Sequence, residues 1–201
     1  MGQFDYQRTV IAYHGCDESI VSGVLLHGEK LKVSKNAYDW LGKGIYFWEH
    51  GPQRALEWAQ NPPPHGVKIK RPAVLGALIN LGHCFDLLDT RNTALLPQAY
   101  EVLRLVHDYT KDSLPGNRQA KGEAASDFAL RYLDCAVINL AIEMREKESE
   151  RIVQTVRGSF TEGKPAFENS KIMQKSHIQI AVRDANAIIG YFRPVIDTPP
   201  L

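Results

Sequence analysis

The chain has 201 residues, the size of one domain or at most of two small ones. Its 24 Lys and Arg residues nearly balance its 23 Asp and Glu residues, for a formal net charge of +1. That balance argues against a nucleic-acid binder driven by bulk positive charge and against an acidic disordered protein. A hydrophobic fraction of 44% is enough to bury a core without disulfide staples.

The cysteines and the amino-terminal segment indicate in which cellular compartment the protein is expected. Cys16, Cys84 and Cys135 lie far apart and form no CxxC pair, so we predict reduced thiols and no metal site. The opening MGQFDYQR lacks the apolar core of a signal peptide, and Tyr6 fails the myristoylation pattern. Charges interrupt every apolar stretch well short of a membrane span. We therefore expect a cytoplasmic protein that does not contact a membrane.

Strands are predicted early and late in the chain, with helices between them. In chain order, the first predicted elements are a strand at 9–14, a helix from 17–19 to Gly28, strands at 31–33 and 44–48, and a helix from Pro52 to the Asn-Pro-Pro-Pro stop at 61–64. The later ones are strands at 73–81 and 84–88, helices at 94–109 and 124–148, and strands at 152–156, 177–183 and 187–192. This order favours an α+β fold with a mixed or antiparallel sheet over a doubly wound parallel sheet. The nucleotide fingerprints GxGxxG and GxxxxGKS/T are absent.

A first candidate motif, Tyr13-His14-Gly15, stands at the end of the first predicted strand. Histidine can hydrogen-bond a hydroxyl, and glycine lets a ligand approach the backbone closely. Taken alone, a histidine at a strand end is more often structural than functional.

A second candidate motif is the aromatic run at residues 38–48, where five aromatic side chains fall within eleven residues. Gly42 and Gly44 indicate tight backbone geometry at the entry to a strand. These aromatics would form either part of the core or a stacking wall for a flat ring, and the residues alone leave both interpretations open.

Together, the two motifs resemble those of the ADP-ribosyltransferase superfamily, in particular its diphtheria-toxin and poly(ADP-ribose) polymerase branch. That branch has a strand ending in His-Gly, then a helix, a short strand and a loop, followed by a Gly-Lys-Gly-Ile-Tyr-Phe strand and an Ala-rich helix. The same order and spacing occur here over residues 13–59, with His14-Gly15 followed by GKGIYF at 42–47. The resemblance implies a split β-sandwich of two small mixed or antiparallel sheets. It would form a single domain over residues 1–201, with a helical insert at about 93–148.

The resemblance also implies roles in binding NAD as a substrate. His14 would hydrogen-bond the ribose, the Gly15 backbone would clamp the nicotinamide carboxamide, and Tyr46 would stack on the nicotinamide ring. Trp58 is the nearest candidate to close the other face of that ring, with packing in the core as an equal alternative. Ser34 would lie on the loop near the adenosine side.

The third motif of the superfamily departs from its usual form. The family's catalytic Glu opens a late strand, but the late strand here, 174–182, contains no Glu. His177 and Gln179 are two residues apart and therefore share one face of that strand. The nearest carboxylates, Glu162 and Glu168, precede it. We take Gln179, His177 and Glu162 as unranked candidates for the catalytic position.

The function implied by the resemblance is a mono-ADP-ribosyltransferase acting on a macromolecular acceptor, protein or nucleic acid. It further implies a bacterial toxin of a defence or toxin–antitoxin system as a candidate, with an antitoxin or inhibitor protein as partner. The alternatives are a non-catalytic NAD or ADP-ribose binding module and an NAD-dependent RNA 2′-phosphotransferase. The second is disfavoured because no arginine constellation for a phosphate is evident. A groove for a nucleic acid would draw on Lys68, Lys70, Arg71, Lys111, Arg118 and Lys121.

Overall fold

The computed structural model describes residues 5–62, 68–120 and 128–196, and these form an α+β fold as predicted. The elements in chain order are β1 (Asp5–Asp17), α1 (Glu18–His27), β2 (Ile45–Glu49), α2 (Pro52–Gln60), β3 (Pro72–Asp86), α3 (Thr90–Thr93), α4 (Leu96–Thr110), α5 (Tyr132–Ser149), β4 (Thr155–Phe160), β5 (His177–Val182), a 3-10 turn (Ala185–Ala187) and β6 (Ile188–Phe192). None of the helices in the described ranges has the length and apolar character needed to cross a membrane.

Local signals fix the first helix. Asp17 caps α1 by accepting a hydrogen bond from the Ser19 backbone amide (3.0 Å), and Gly28 ends the helix in the left-handed conformation (φ 66°). The other carboxylate oxygen of Asp17 accepts hydrogen bonds from the backbone amides of Lys70 (2.7 Å) and Arg71 (2.9 Å). One side chain therefore joins the start of α1 to the segment that leads into β3.

All six strands belong to one mixed sheet, in the order β1-β2-β5-β4-β3-β6, and a further pairing of β1 with β3 closes five of them into a ring. Two separate sheets were expected, and this is a correction. Pairing is extensive within the group β1, β3, β6 and within the group β2, β5, β4. Two short junctions join these groups. β1 meets β2 only at Ala12↔Glu49 and Tyr13↔Trp48, and β3 meets β4 in parallel only over Cys84–Asp86.

β3 explains why two strands were predicted where one exists. Gly82 adopts the left-handed conformation (φ 56°), and the alternation of buried side chains changes phase there. Leu81 and Cys84, three residues apart, belong to the same buried cluster. The strand therefore bends without ending, and its last three residues reach β4.

The two faces of the sheet bury different cores. One cluster joins inward side chains of β1, β2, β3 and β5, among them Ala12, Phe47, Leu75, Cys84 and Ile180. The other lies between the outer face and helices α4 and α5, and includes Leu41, Phe85, Ile142, Val156 and Ala181. The middle of the chain, predicted as a helical insert, thus covers the outer face near β4 and β5.

Several elements differ from prediction. Residues 31–33 form no strand: Leu31 is buried in the core and Val33 packs against it, but the nearby pairing is a single bridge, Ser34↔Gly44. The strand predicted at 152–156 begins later than expected, since β4 covers Thr155–Phe160. The long helix starts at Tyr132, and the part predicted at 124–127 lies outside the described residues.

Candidate functional site

The sheet brings the three predicted motifs onto three neighbouring strands. Tyr13 of β1 pairs with Trp48 of β2, and Trp48 pairs with Gln179 of β5, so these residues form one lateral row. Tyr46 lies two residues from Trp48 on the same face of β2. The His-Gly, Tyr and third-motif positions therefore lie within two residues of one row, although together they span more than 160 positions of the sequence.

His14 occupies the point where the β1–β2 ladder stops. Its Nδ1 donates a hydrogen bond to the backbone carbonyl of Tyr46 (2.8 Å), and its ring lies against Phe47 (centroids 5.6 Å apart). Burial lowers the pKa of His14, and the Tyr46 carbonyl only partly opposes this. The neutral ring thus uses its one N–H on Tyr46 and keeps Nε2 as an acceptor for a ligand hydroxyl.

The Tyr46 hydroxyl is fully engaged within the protein. It donates to the Gly42 carbonyl (2.6 Å) and accepts from the Leu41 backbone amide (2.8 Å). Burial raises the pKa of Tyr46 well above its ordinary value, and the nearby Asp39 carboxylate adds to the effect. Tyr46 therefore offers a ligand the surface of its ring, while its hydroxyl shapes the loop before β2.

Gly15 has a structural requirement that the sequence did not reveal. A Cβ at this position would lie 2.1 Å from the Ala55 carbonyl oxygen and 3.4 Å from the Trp58 ring. Glycine is needed here first of all so that α2 can approach β1 closely. Trp58 in turn contacts Trp48 (ring centroids 6.0 Å apart), and the two rings lie beside the β1–β2 junction.

An aromatic cluster surrounds His177. Its ring centroid is 5.9 Å from that of Phe160, 6.3 Å from Trp40 and 6.4 Å from Trp48. The guanidinium of Arg131 lies 4.1 Å from the Trp40 ring centroid and 4.9 Å from that of Phe160. Part of the aromatic run at 38–48 thus forms the wall of a polar site, while Phe47 of the same run is core.

The three unranked third-motif residues converge within this cluster. His177 Nδ1 donates to the Lys175 carbonyl (2.7 Å) and lies 3.4 Å from Glu162 Oε2, and its Nε2 faces the Gln179 side-chain amide (3.1 Å). Since Nδ1 carries the proton, Nε2 accepts from the Gln179 NH₂ group, and this contact fixes the orientation of the carboxamide. Burial, together with Arg54 and Arg131, lowers the pKa of His177 against the opposing effects of Lys175 and Glu162.

Arg54 of α2 is a site residue that sequence reasoning missed. Its guanidinium forms ion pairs with Glu162 (2.9 Å) and Glu57 (2.8 Å). Two buried donors in this region, Arg54 Nε and Trp48 Nε1, have no hydrogen-bond partner among the described residues. Buried donors are normally satisfied, so a ligand with acceptor oxygens would fit this region.

The remaining predicted site residues lie apart from the cluster. The Ser34 hydroxyl donates to Asp39 (2.6 Å) within its own loop, and Glu168 is exposed. Among the basic residues, Lys70 and Arg71 donate their backbone amides to the Asp17 carboxylate, whereas Arg118 lies over the Tyr132 ring (5.6 Å). Lys121 lies outside the described residues, and a common basic groove remains a prediction.

A groove of about 640 Å³ adjoins the aromatic cluster between α4, α5 and the sheet. It shares Trp40, Arg131 and Phe160 with the cluster, and its other walls are mostly apolar, including Tyr100 and Val137. The cluster is therefore open on one side to a space large enough for part of a ligand or an acceptor.

No metal centre is formed in the described part of the chain, where no three His, Cys, Asp or Glu side chains are grouped to hold an ion. The three cysteines are buried and free, and burial raises the pKa of both Cys16 and Cys84 to about 12. Compared with models of protein families, with curated proteins and with solved structures, the chain matches none of them.

The two lowered histidine pKa values predict a loss of stability in mild acid. The ordinary pKa of both histidines is 6.5, and in the folded protein it is lower. As the pH falls below 6.5, the unfolded chain therefore binds protons at His14 and His177 while the folded protein still leaves them neutral. The free energy of unfolding should therefore fall as the pH drops from 7.5 to 5.5, by up to about 1.4 kcal/mol per pH unit for each histidine. Urea titrations across this range measure it.

The matched variants for this prediction are His14→Asn and His27→Asn. His14→Asn should make the pH dependence shallower by roughly one histidine's share. His27, an exposed residue at the end of α1, is the matched position for the control replacement. Equal slopes in the wild type and His14→Asn would contradict the burial argument.

Proposed function

We propose that the protein is a mono-ADP-ribosyltransferase that takes NAD as a substrate, expels nicotinamide and passes ADP-ribose to a macromolecular acceptor. The observation that carries this proposal is the lateral adjacency of β1, β2 and β5, which brings His14-Gly15 and Tyr46 within two residues of the row Tyr13–Trp48–Gln179. The order of these residues in the sequence does not by itself require that the three strands be neighbours.

Binding of NAD would use groups that the protein leaves available. His14 Nε2 would accept a hydrogen bond from a ribose hydroxyl, because Nδ1 is committed to Tyr46. The Gly15 backbone at the β1–β2 junction would hold the carboxamide, and the Tyr46 ring would cover the nicotinamide. The unsatisfied donors Trp48 Nε1 and Arg54 Nε suit the oxygen atoms of such a ligand.

In the reaction, the bond between ribose C1′ and the nicotinamide nitrogen breaks, and its electron pair leaves with nicotinamide. The ribose becomes oxocarbenium-like, as in glycoside hydrolysis, and a nearby carboxylate stabilises that positive charge. Glu162 is the carboxylate that contacts the cluster, so we assign it this role and that of accepting the acceptor's proton. Gln179 supplies hydrogen bonds only, and His177 is a positioning residue that orients it.

A single transfer is the expected outcome, because chain elongation in the superfamily usually relies on a Glu at the position that Gln179 would occupy. The apolar groove beside the cluster offers room for the acceptor, protein or nucleic acid. The proposal extends to a bacterial toxin of a defence or toxin–antitoxin system, neutralised by an antitoxin or inhibitor protein.

The test is incubation of the protein with NAD labelled separately in the nicotinamide and the adenylate parts, together with cell protein and RNA. Release of nicotinamide with adenylate label on protein or nucleic acid supports the transferase. Tight NAD binding without release would favour a binding module, and removal of a 2′-phosphate from RNA would favour the phosphotransferase. Failure to bind NAD would contradict the proposal.

The role of Glu162 has a matched control in Glu57, because Arg54 binds both carboxylates but only Glu162 contacts His177. Glu162→Gln should lower the rate of nicotinamide release by roughly 100-fold to 1,000-fold, the loss typical of one electrostatic group at a developing charge. Glu57→Gln should change it by less than about threefold, as expected for an exposed pair. Similar rates in the two variants would assign the charge to another residue.

A further inference from the structure

Arg54 stands on α2 beside the closest approach of that helix to β1. Its neighbour Ala55 is fully buried, and the Ala55 carbonyl oxygen lies so near Gly15 that a Cβ there would be 2.1 Å from it. A helix packed this closely can shift little relative to the strand, because a displacement toward it meets backbone atoms. The backbone of Arg54 is therefore fixed relative to His14 and Gly15.

The guanidinium of Arg54 is held at two of its nitrogens. Nη1 donates to Glu57 (2.8 Å), three residues further along α2, and Nη2 donates to Glu162 (2.9 Å). The side chains of Arg54 and Glu162 are 20% and 22% exposed, so this ion pair is largely shielded from solvent. Because the guanidinium is planar, two such bonds fix its orientation. Arg54 thus presents a fixed donor to the Glu162 carboxylate.

Glu162 lies in the segment between β4 and β5, two residues after the end of β4. Its backbone carbonyl accepts a hydrogen bond from the Lys175 amide (3.0 Å), which fixes the main chain but leaves the side-chain rotamers open. His177 Nδ1 lies 3.4 Å from the carboxylate, but its proton is already donated to the Lys175 carbonyl (2.7 Å). The ion pair with Arg54 is therefore the contact that sets where the carboxylate points.

We propose that Arg54 is a positioning residue, which holds the Glu162 carboxylate at the place where the ribose of NAD becomes positively charged. This inference rests on the proposed function and adds to it the residue that connects the His14-Gly15 motif on β1 with the carboxylate after β4. A group misplaced by about 1 Å can lose on the order of 100-fold in rate. Loss of Arg54 should therefore lower kcat even though Glu162 itself is intact.

A double-variant cycle of nicotinamide release tests this role. Arg54→Met keeps the aliphatic stem, removes the guanidinium and should lower kcat by roughly 10-fold to 100-fold. In a Glu162→Gln background the same substitution should lower kcat by less than about threefold, because the group that Arg54 positions is already gone. KM is measured separately in both backgrounds, since the buried Arg54 Nε is also a donor suited to NAD.

The conservative variant Arg54→Lys keeps the positive charge but not the planar fork that holds two carboxylates. It should recover part of the loss, with kcat roughly threefold to tenfold below wild type, and this smaller effect should also disappear in the Glu162→Gln background. Urea unfolding shows which variants are folded, and the cycle with Arg54→Lys replaces that with Arg54→Met should the latter fail to fold.

The matched control is Arg104→Met, because Arg104 also binds two carboxylates, Glu101 (3.0 Å) and Asp108 (2.7 Å), but on the exposed surface of α4. Its kcat should remain within about threefold of the parent in both backgrounds.

The results separate this inference from the proposed function. A loss of kcat confined to the background that retains Glu162 supports the role of Arg54. Equal losses in both backgrounds, or wild-type kcat in folded Arg54→Met, overturn that role and leave the proposed function standing. A wild-type protein that releases no nicotinamide contradicts the proposed function, and the role of Arg54 falls with it.

Discussion

Replacing Arg157 with leucine should lower the free energy of unfolding by roughly 3–5 kcal/mol, the usual cost of removing one partner from a buried ion pair. Arg157 of β4 donates to Glu49 of β2 (2.6 and 3.2 Å) and to Asp86 of β3 (3.1 Å). The three side chains are 6%, 2% and 8% exposed, respectively. Without the guanidinium, the carboxylates of Glu49 and Asp86 would remain buried. Of the three ion pairs named here, only that between Arg8 and Glu49 would remain.

Urea denaturation at neutral pH measures this effect as a shift of the midpoint at constant slope. Arg104→Leu is the control, because Arg104 also forms two ion pairs but lies on the surface of α4, where ion pairs contribute little to stability. Adding Glu49→Gln and Asp86→Asn to Arg157→Leu should recover part of the loss by removing the unpaired charges. A loss below about 1 kcal/mol in Arg157→Leu would mean that water or another cation reaches the site.

Removing the imidazole of His14 should abolish most NAD turnover. His14→Ala loses the acceptor Nε2 and also the hydrogen bond that holds the Tyr46 carbonyl at the β1–β2 junction. Misplacing a binding element by about 1 Å costs on the order of 100-fold in rate, so kcat/KM for nicotinamide release should fall by roughly that factor or more. Initial rates with labelled NAD, at concentrations above and below KM, separate binding from chemistry.

Two further variants serve as controls for His14→Ala. His27→Ala changes an exposed histidine of α1 and should keep wild-type rates. Tyr46→Phe keeps the ring and removes only the hydroxyl bonded to Gly42 and Leu41, so it should lower thermal stability more than turnover. Wild-type turnover in a folded His14→Ala would remove His14 from the site and weaken the assignment to the superfamily.

Much of the fold could be predicted because its signals are local. The helix cap at Asp17, the stop at Gly28, Pro52 at the start of α2 and the branched and aromatic residues of β2 all act within a few residues. The strand predicted at 31–33 is wrong because Leu31 and Val33 pack into the core from a loop and so produce the same alternating pattern as a strand.

The candidate site was only partly predictable, for a physical reason. The contacts that define it join residues distant in sequence, such as Arg54 with Glu162 and Arg131 with Trp40. A single sequence carries no signal for such pairs, because an arginine in a helix reads as a surface charge. The proximity of Glu162 to His177 likewise follows from how the segment after β4 returns to β5.

The unequal strand pairing also determines where the molecule can open without unfolding. Native proteins exchange amide hydrogens through local openings, and these are easiest where few backbone hydrogen bonds must break together. The β1–β2 junction consists of two residue pairs, against eleven between β1 and β3. Breathing motions should thus concentrate at this junction, where His14 and Gly15 stand. Under the proposed function, the shortest strand junction would lie beside the bound ligand, and the long β1–β3 ladder would hold the rest of the framework in place when the junction opens.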